Sequence, residues 1–222
     1  MLAVFHKSLA GPSLKLMGTV VVENLPTEQS EETMKELSRL FKDEHQDPMA
    51  IHLLPYCILN TVLDHKSVTT PSVLAVKDDV VCLFRGTIEN RAEIAASYKL
   101  PPRKNDAAIV LWAYDKFGDQ ETDTPWLEAV EHFKGGFSFV IYDATKKSFF
   151  VTSGLDGIPC FWGIGPHGTI SSRLAWRWRA QSVKVSMENY PKGVTMLVKK
   201  GLRNFQTPDV ELKAQFAPPE NQ

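Results

Sequence analysis

A chain of 222 residues, 43% hydrophobic and 23% charged, can bury a full core and is read as one globular domain over residues 1–222. Its formal net charge of −1 argues against nucleic acid, a membrane surface or a strongly charged ligand as the partner. Cys57, Cys82 and Cys160 are odd in number and form no CxxC pair, which sets aside a disulfide framework and a zinc site and suits a reducing compartment.

In chain order, LAVF (2–5) suits a short buried strand, and a loop with Gly11 and Pro12 follows. VVV (20–22) suits another short strand. Pro26 and Thr27 open a helix whose early acids, Glu28, Glu31 and Glu32, favour the dipole; Met34, Leu37, Leu40 and Phe41 recur at helical spacing and face the core, and Pro48 marks the end. Residues 51–64 and 73–84 are rich in Val, Leu and Ile and read as buried strands. Asn90 followed by Glu93 has the form of a capping box, predicting a helix over 91–98. Asn105 or Asp106 caps the next helix, with Val110, Ala113, Tyr114 and Phe117 on one face and Gly118 closing it. Thr124-Pro125 starts a further helix with Trp126, Leu127, Val130 and Phe133 inward, ended by Gly135-Gly136.

The second half is hairpin-rich. FSFVIY (137–142) pairs with SFFVT (148–152), IPCFWG (158–163) with TISS (169–172), and VTMLV (194–198) with LRNF (202–205). The polar tail from about residue 214 reads as frayed. Helices set among hairpins argue for an α+β fold with largely antiparallel sheets, and pattern alone stops there. The N-terminal HKSLAGPSLKL (6–16) fits neither a signal nor a transit peptide, and no run nears 18 apolar residues. The expected location is therefore the cytoplasm, with entry to the nucleus also open to a chain this small.

Three segments carry a resemblance: LFRGTIEN (83–90), KNDAAIVLWAYDKFGD (104–119) and GGFSFVIYDATKKSFFVTSGLDGIPCFWG (135–163). Over roughly residues 73–172 they are similar to the glutaminase domain of class II glutamine amidotransferases. Together with the opening MLAVFHKS and the late PKG…GLRNFQTP (191–208), the chain resembles the plant aluminium-induced, stem-specific protein family over nearly its whole length. That resemblance implies the four-layer αββα sandwich of the N-terminal nucleophile hydrolases.

It also implies where chemistry would sit, and what is missing. The resembled enzymes use a Cys at position 2, exposed by removal of Met1, whose thiol attacks an amide while its α-amine serves as base. Here the residue is Leu2, which has no nucleophilic atom, and Met1 is not expected to be trimmed before so bulky a neighbour. Losing a nucleophile removes orders of magnitude of rate. Leu2 also reads simply as a core residue. In RGTIEN the resembled enzymes carry NG-x-I-x-N, an oxyanion hole made by an Asn side chain and a Gly N–H. Gly86 is kept and the Asn is Arg85, so the hole is remodelled or the pair is merely the turn after a strand. Asp106 falls where those enzymes hold the α-ammonium of glutamine; its bland reading is a first-turn acid.

Other departures weaken an amidotransferase role. The Arg that clamps the substrate carboxylate has no counterpart around residues 44–60, two plant-family signatures, YGL and LRDR, stand here as YKL (98–100) and YDKFGD (114–119), and no acceptor domain for ammonia accompanies the motifs. The six His form no HExxH, no GxSxG occurs, and RLAWRWRA (173–180) reads as amphipathic packing before it reads as a base-stacking strip. The expectation is a non-catalytic, stress-associated amidotransferase-like protein without cofactor or metal. It would bind a small amino acid or amide in a remnant pocket lined by Leu2, Arg85, Gly86 and Asp106, or a protein partner. The rivals are an amidohydrolase with a substitute nucleophile, Cys82 or Cys160, and a structural or homodimerisation module.

Overall fold

The strand β1 (Leu2–Phe5) runs inside a sheet, antiparallel to β3 (Cys57–Thr61) on one side and to β9 (Ile170–Leu174) on the other. The structure, a computed structural model, describes residues 1–9, 27–64, 66–67, 70–99, 105–117, 124–154, 158, 160–164, 169–174, 186–189, 194–197, 201–204 and 207–212. With β2 (Met49–Leu53), β8 (Cys160–Ile164) and β10 (Ser186–Asn189), the first sheet has the order β10-β8-β9-β1-β3-β2. The second is built from β4 (Ser72–Lys77), β5 (Val80–Gly86), β6 (Phe137–Asp143), β7 (Ser148–Ser153), β11 (Val194–Leu197), β12 (Gly201–Asn204) and β13 (Thr207–Leu212), in the order β13-β12-β11-β7-β6-β5-β4. Each of these pairings is antiparallel.

Strand alternation divides the side chains between layers. Ala3 and Phe5 of β1, with Cys57 and Leu59 of β3, meet Val81, Leu83, Val140, Tyr142, Phe149 and Val151 of the second sheet; Phe5 stacks on Phe149 with ring centroids 3.9 Å apart. Leu2 and Val4 point the other way, onto Met34, Leu37 and Phe41 of α1 (Thr27–Glu44). On the far face of the second sheet, Cys82, Phe84, Phe139 and Ile141 are covered by α2 (Arg91–Tyr98), α3 (Asp106–Phe117) and α4 (Thr124–Glu131), through Ile94, Val110, Ala113, Tyr114, Trp126 and Val130. The layers thus run helix, sheet, sheet, helices: the αββα sandwich implied by the resemblance.

The helices follow their local signals. On the outer face of α1, Glu31 pairs with Lys35, and Arg39 with both Glu36 and Asp43, at 2.7 Å each. These exposed pairs contribute a few tenths of a kcal/mol apiece, so the apolar stripe onto β1 and β3 holds this helix in place. Of the two candidate caps of α3, Asn105 is the one used: its Oδ1 accepts the Ala108 N–H at 2.8 Å. Asp106 is freed for another partner.

Three expectations need correction. Runs 51–64 and 73–84 are hairpins rather than uniformly buried strands: β3 and most of β5 are buried, while the outermost strands β2 and β4 are largely half-buried. Asn90 does precede α2, but it makes no side-chain cap. Its Oδ1 accepts the Lys134 N–H and its Nδ2 donates to the His132 carbonyl, both at 2.9 Å, because the exit of α4 offers better partners than the helix's own first turn. The strands β10 and β13 were not foreseen. The expected strand at 20–22, the Gly11-Pro12 loop, Gly118, residues 175–180 and the tail lie outside the described residues. No helix among the described residues is long and apolar enough to cross a membrane.

Candidate functional site

The site is built where β5 ends. Gly86 closes that strand at φ +108°, a backbone conformation that L side chains rarely adopt. A Cβ at this position would run into the Gly136 carbonyl and lie 2.8 Å from the Phe137 Cα, so the segment entering β6 can pass only over a glycine. The facing residue Gly135 has φ +122°, and a Cβ there would strike the Thr87 carbonyl. The two segments are laced together by Thr87 N–H to the Gly136 carbonyl at 3.0 Å and Glu89 N–H to the Lys134 carbonyl at 2.8 Å. Asn90 continues the same seam.

Asp106 locks onto it from the N-terminus of α3. Its Oδ2 accepts the Ile88 N–H at 3.2 Å, while its Oδ1 is buried without a hydrogen-bond partner among the described residues, 4.0 Å from the Arg91 guanidinium. At 4.0 Å with an exposed Arg, that ion pair is weak. The carboxyl is 7% exposed. Burial raises its pKa above the usual carboxylate range, against the opposing pull of the Ile88 N–H and of Arg91.

Arg85 stands one residue earlier and on the opposite face. It pairs across the sheet with Ser72 and Ser138, and the Ser72 hydroxyl meets the Thr61 hydroxyl of the first sheet at 3.1 Å. Paired residues share a face, so Arg85 points between the sheets. That end of the interlayer is polar. The Ser138 hydroxyl donates to the Ile158 carbonyl at 2.8 Å and lies 3.3 Å from the Ser153 hydroxyl, and the Cys160 thiol lies 3.3 Å from the Ser172 hydroxyl. Arg85 is half-buried, and its Nε is buried with no acceptor among the described residues.

The structure therefore brings Arg85, Gly86 and Asp106 to one end of the second sheet but does not bring Leu2 to them. Leu2 is fully buried against α1, because alternation along β1 gives the interlayer to Ala3 and Phe5. The backbone donor expected of Gly86 is also engaged: its N–H donates to the Pro71 carbonyl at 2.9 Å. Pro71, Gly135 and Asn90 are the positions that sequence reasoning missed here. Gly135 carried a signal, its place beside a second glycine before a strand, whereas the signal at Asn90, its spacing to Glu93, pointed to a helix cap instead. A cavity of about 60 Å³ lined by Lys77, Val80, Tyr114, Asp115 and Asp143 lies at the other end of β5, roughly 20 Å away at the rise of an extended strand. Asp78 and Lys146 also line it; Lys77 is joined to Asp115 and Lys146 to Asp143, which also accepts from the Tyr114 hydroxyl. Among the described residues no group of three His, Cys, Asp or Glu is placed to hold a metal ion.

The profile of a family described as aluminium induced protein matches residues 2–221. The chain belongs to the aluminium-induced protein family. Within reach of that family, it is 26% identical over 155 residues to the stem-specific protein TSJT1 of Nicotiana tabacum, covering 68% of this chain and 99% of the tobacco protein. Among solved structures, it is similar to the glutamine phosphoribosylpyrophosphate (PRPP) amidotransferase of B. subtilis, with a TM-score of 0.50 and 11% identity, over 68% of this chain and 35% of that enzyme. The chain spans about a third of the enzyme's length, and the likeness is one of fold. The aluminium-induced protein thus has the sandwich of the class II glutamine amidotransferases, an N-terminal nucleophile hydrolase fold.

Proposed function

We propose that this aluminium-induced protein is a non-catalytic member of the amidotransferase fold that acts by binding a small amino acid or amide at the Gly86–Asp106 end of its second sheet. The observation that carries the reading is Leu2: a side chain with no nucleophilic atom, fully buried against α1 at the position where the resembled enzymes carry their thiol.

The thiols supply no replacement. Cys57, Cys82 and Cys160 are all buried, and burial raises every one of their pKa values, that of Cys160 to about 11. Nucleophilic thiols need the opposite, a low pKa and access. The engaged Gly86 N–H removes one donor from an oxyanion hole. In favour of binding, the unpartnered Oδ1 of Asp106 suits an ammonium group, which would satisfy a buried acceptor and neutralise its charge. The reading places the protein in the cytoplasm.

The test is a thermal-shift screen of the full chain with glutamine, glutamate and asparagine, with ammonia release followed in parallel. A ligand at a hundred times its Kd adds about 2.7 kcal/mol of stability. Stabilisation without ammonia, lost in Asp106→Ala, supports the reading. Ammonia release that disappears in the same variant overturns it, and no shift with any ligand moves the function to a protein partner.

A further inference from the structure

We propose that Arg85 makes this end of the interlayer a site for a small carboxylate, so that the ligand is met there by its anionic group and not by a neutral amide. The inference rests on the reading that the Gly86–Asp106 region binds small molecules, and it adds the chemical class.

Arg85 is a half-buried cation set among hydroxyls. In register it lies between Ser72 and Ser138, whose hydroxyls reach those of Thr61 and Ser153. Among the described residues no carboxylate pairs with it. A guanidinium withdrawn from water is costly unless it is paired. Neutral hydroxyls and carbonyls cannot balance its charge.

The buried Nε narrows the ligand. A guanidinium can meet a carboxylate along the edge formed by Nε–H and one terminal N–H, giving two parallel hydrogen bonds. The Nε of that edge is buried, and it has no acceptor among the described residues. A buried donor left over in this way calls for an ordered water or a ligand. A carboxylate satisfies both hydrogens of that edge and the charge together. A neutral amide offers one oxygen, and its NH2 group would face the guanidinium hydrogens.

The experiment is isothermal titration calorimetry of the full chain with glutarate and L-glutamate, with glutaramide and L-glutaminamide as counterparts of the same length in which every carboxylate is an amide. Wild type is compared with Arg85→Gln and Arg85→Lys, each checked for an unchanged melting temperature and circular dichroism. The expected result is preference for the carboxylates, weakened on the order of tenfold to a hundredfold in Arg85→Gln. Arg85→Lys retains the charge without the fork and falls between the two. L-glutaminamide or glutaramide binding as tightly as its acid, with no change in Arg85→Gln, overturns the carboxylate inference and leaves the binding reading standing. No heat with any of the four compounds overturns both.

Discussion

Asp106 Oδ2 accepts the Ile88 N–H at 3.2 Å, and the other oxygen of the same carboxylate is buried with no donor among the described residues. Half of this side chain staples α3 to the exit of β5, and half is a desolvated charge. Because burial raises its pKa in the folded state, its contribution to stability is fully present below the ordinary Asp value, about 3.9, and is lost as pH rises through the folded value. Asp106→Asn keeps an oxygen for Ile88 and removes the charge. Its melting temperature is expected to exceed that of wild type at pH 7, and the gap to close as pH falls below 4. A gap that is constant with pH, or reversed at pH 7, would show that the buried charge is compensated.

Gly86→Ala is expected to cost about 3 kcal/mol or more, since the new Cβ meets the Gly136 carbonyl at a φ that L residues avoid. For a chain of this size that is a loss of roughly 10 °C in Tm, read by calorimetry. Near-wild-type stability would mean that the two segments at the end of β5 can part without penalty.

Leu2→Ala removes a fully buried side chain from the layer between β1 and α1. The expected loss is about 2–5 kcal/mol, seen as a lower urea midpoint with an unchanged slope. A loss under 1 kcal/mol would place Leu2 outside the core.

The three cysteines are expected to be inert to a thiol-specific disulfide reagent at pH 8 while the protein is folded, and to react together on unfolding. One thiol reacting with the native protein at the rate of a free cysteine would reopen the case for a substitute nucleophile.

Asn90→Ala is expected to lower stability by roughly 1–2 kcal/mol through two lost hydrogen bonds to residues 132 and 134, while Glu93→Gln changes little. The capping-box reading requires comparable losses from both, so urea titration of the pair separates the two accounts.

Asn90 also shows where sequence reading reaches its limit. The spacing Asn90–Glu93 is a sound local signal, and α2 does begin at Arg91, yet the side chain is claimed by backbone more than 40 residues away. Nothing local encodes that competition. The inner strands were legible because burial on one or both faces writes alternation or an apolar run into them, as in Phe137–Tyr142. Ser186–Asn189 and Thr207–Leu212 stand at the ends of their sheets, where polar residues and a proline are tolerated, and so they carry no such pattern. Of the site, Arg85, Gly86 and Asp106 were legible from the motifs. That Leu2 turns away from them, and that Pro71 takes the Gly86 N–H, depended on which strands become neighbours.

The central place of β1 governs how the chain is made. Leu2 pairs with Asn60, which is made soon after it, on one side and with Arg173, made much later, on the other. At ribosomal rates of about 5–20 residues per second, the second neighbour emerges roughly 10–35 s after the first residues. Until then the nascent chain holds an apolar strand with one edge open, a target for chaperones and for mispairing. Ribosome-bound chains arrested before Ile170 are expected to leave that strand open to proteases, and chains arrested well beyond Leu174 to protect it. A strand translated ahead of both its neighbours is thus enclosed only when the later one arrives.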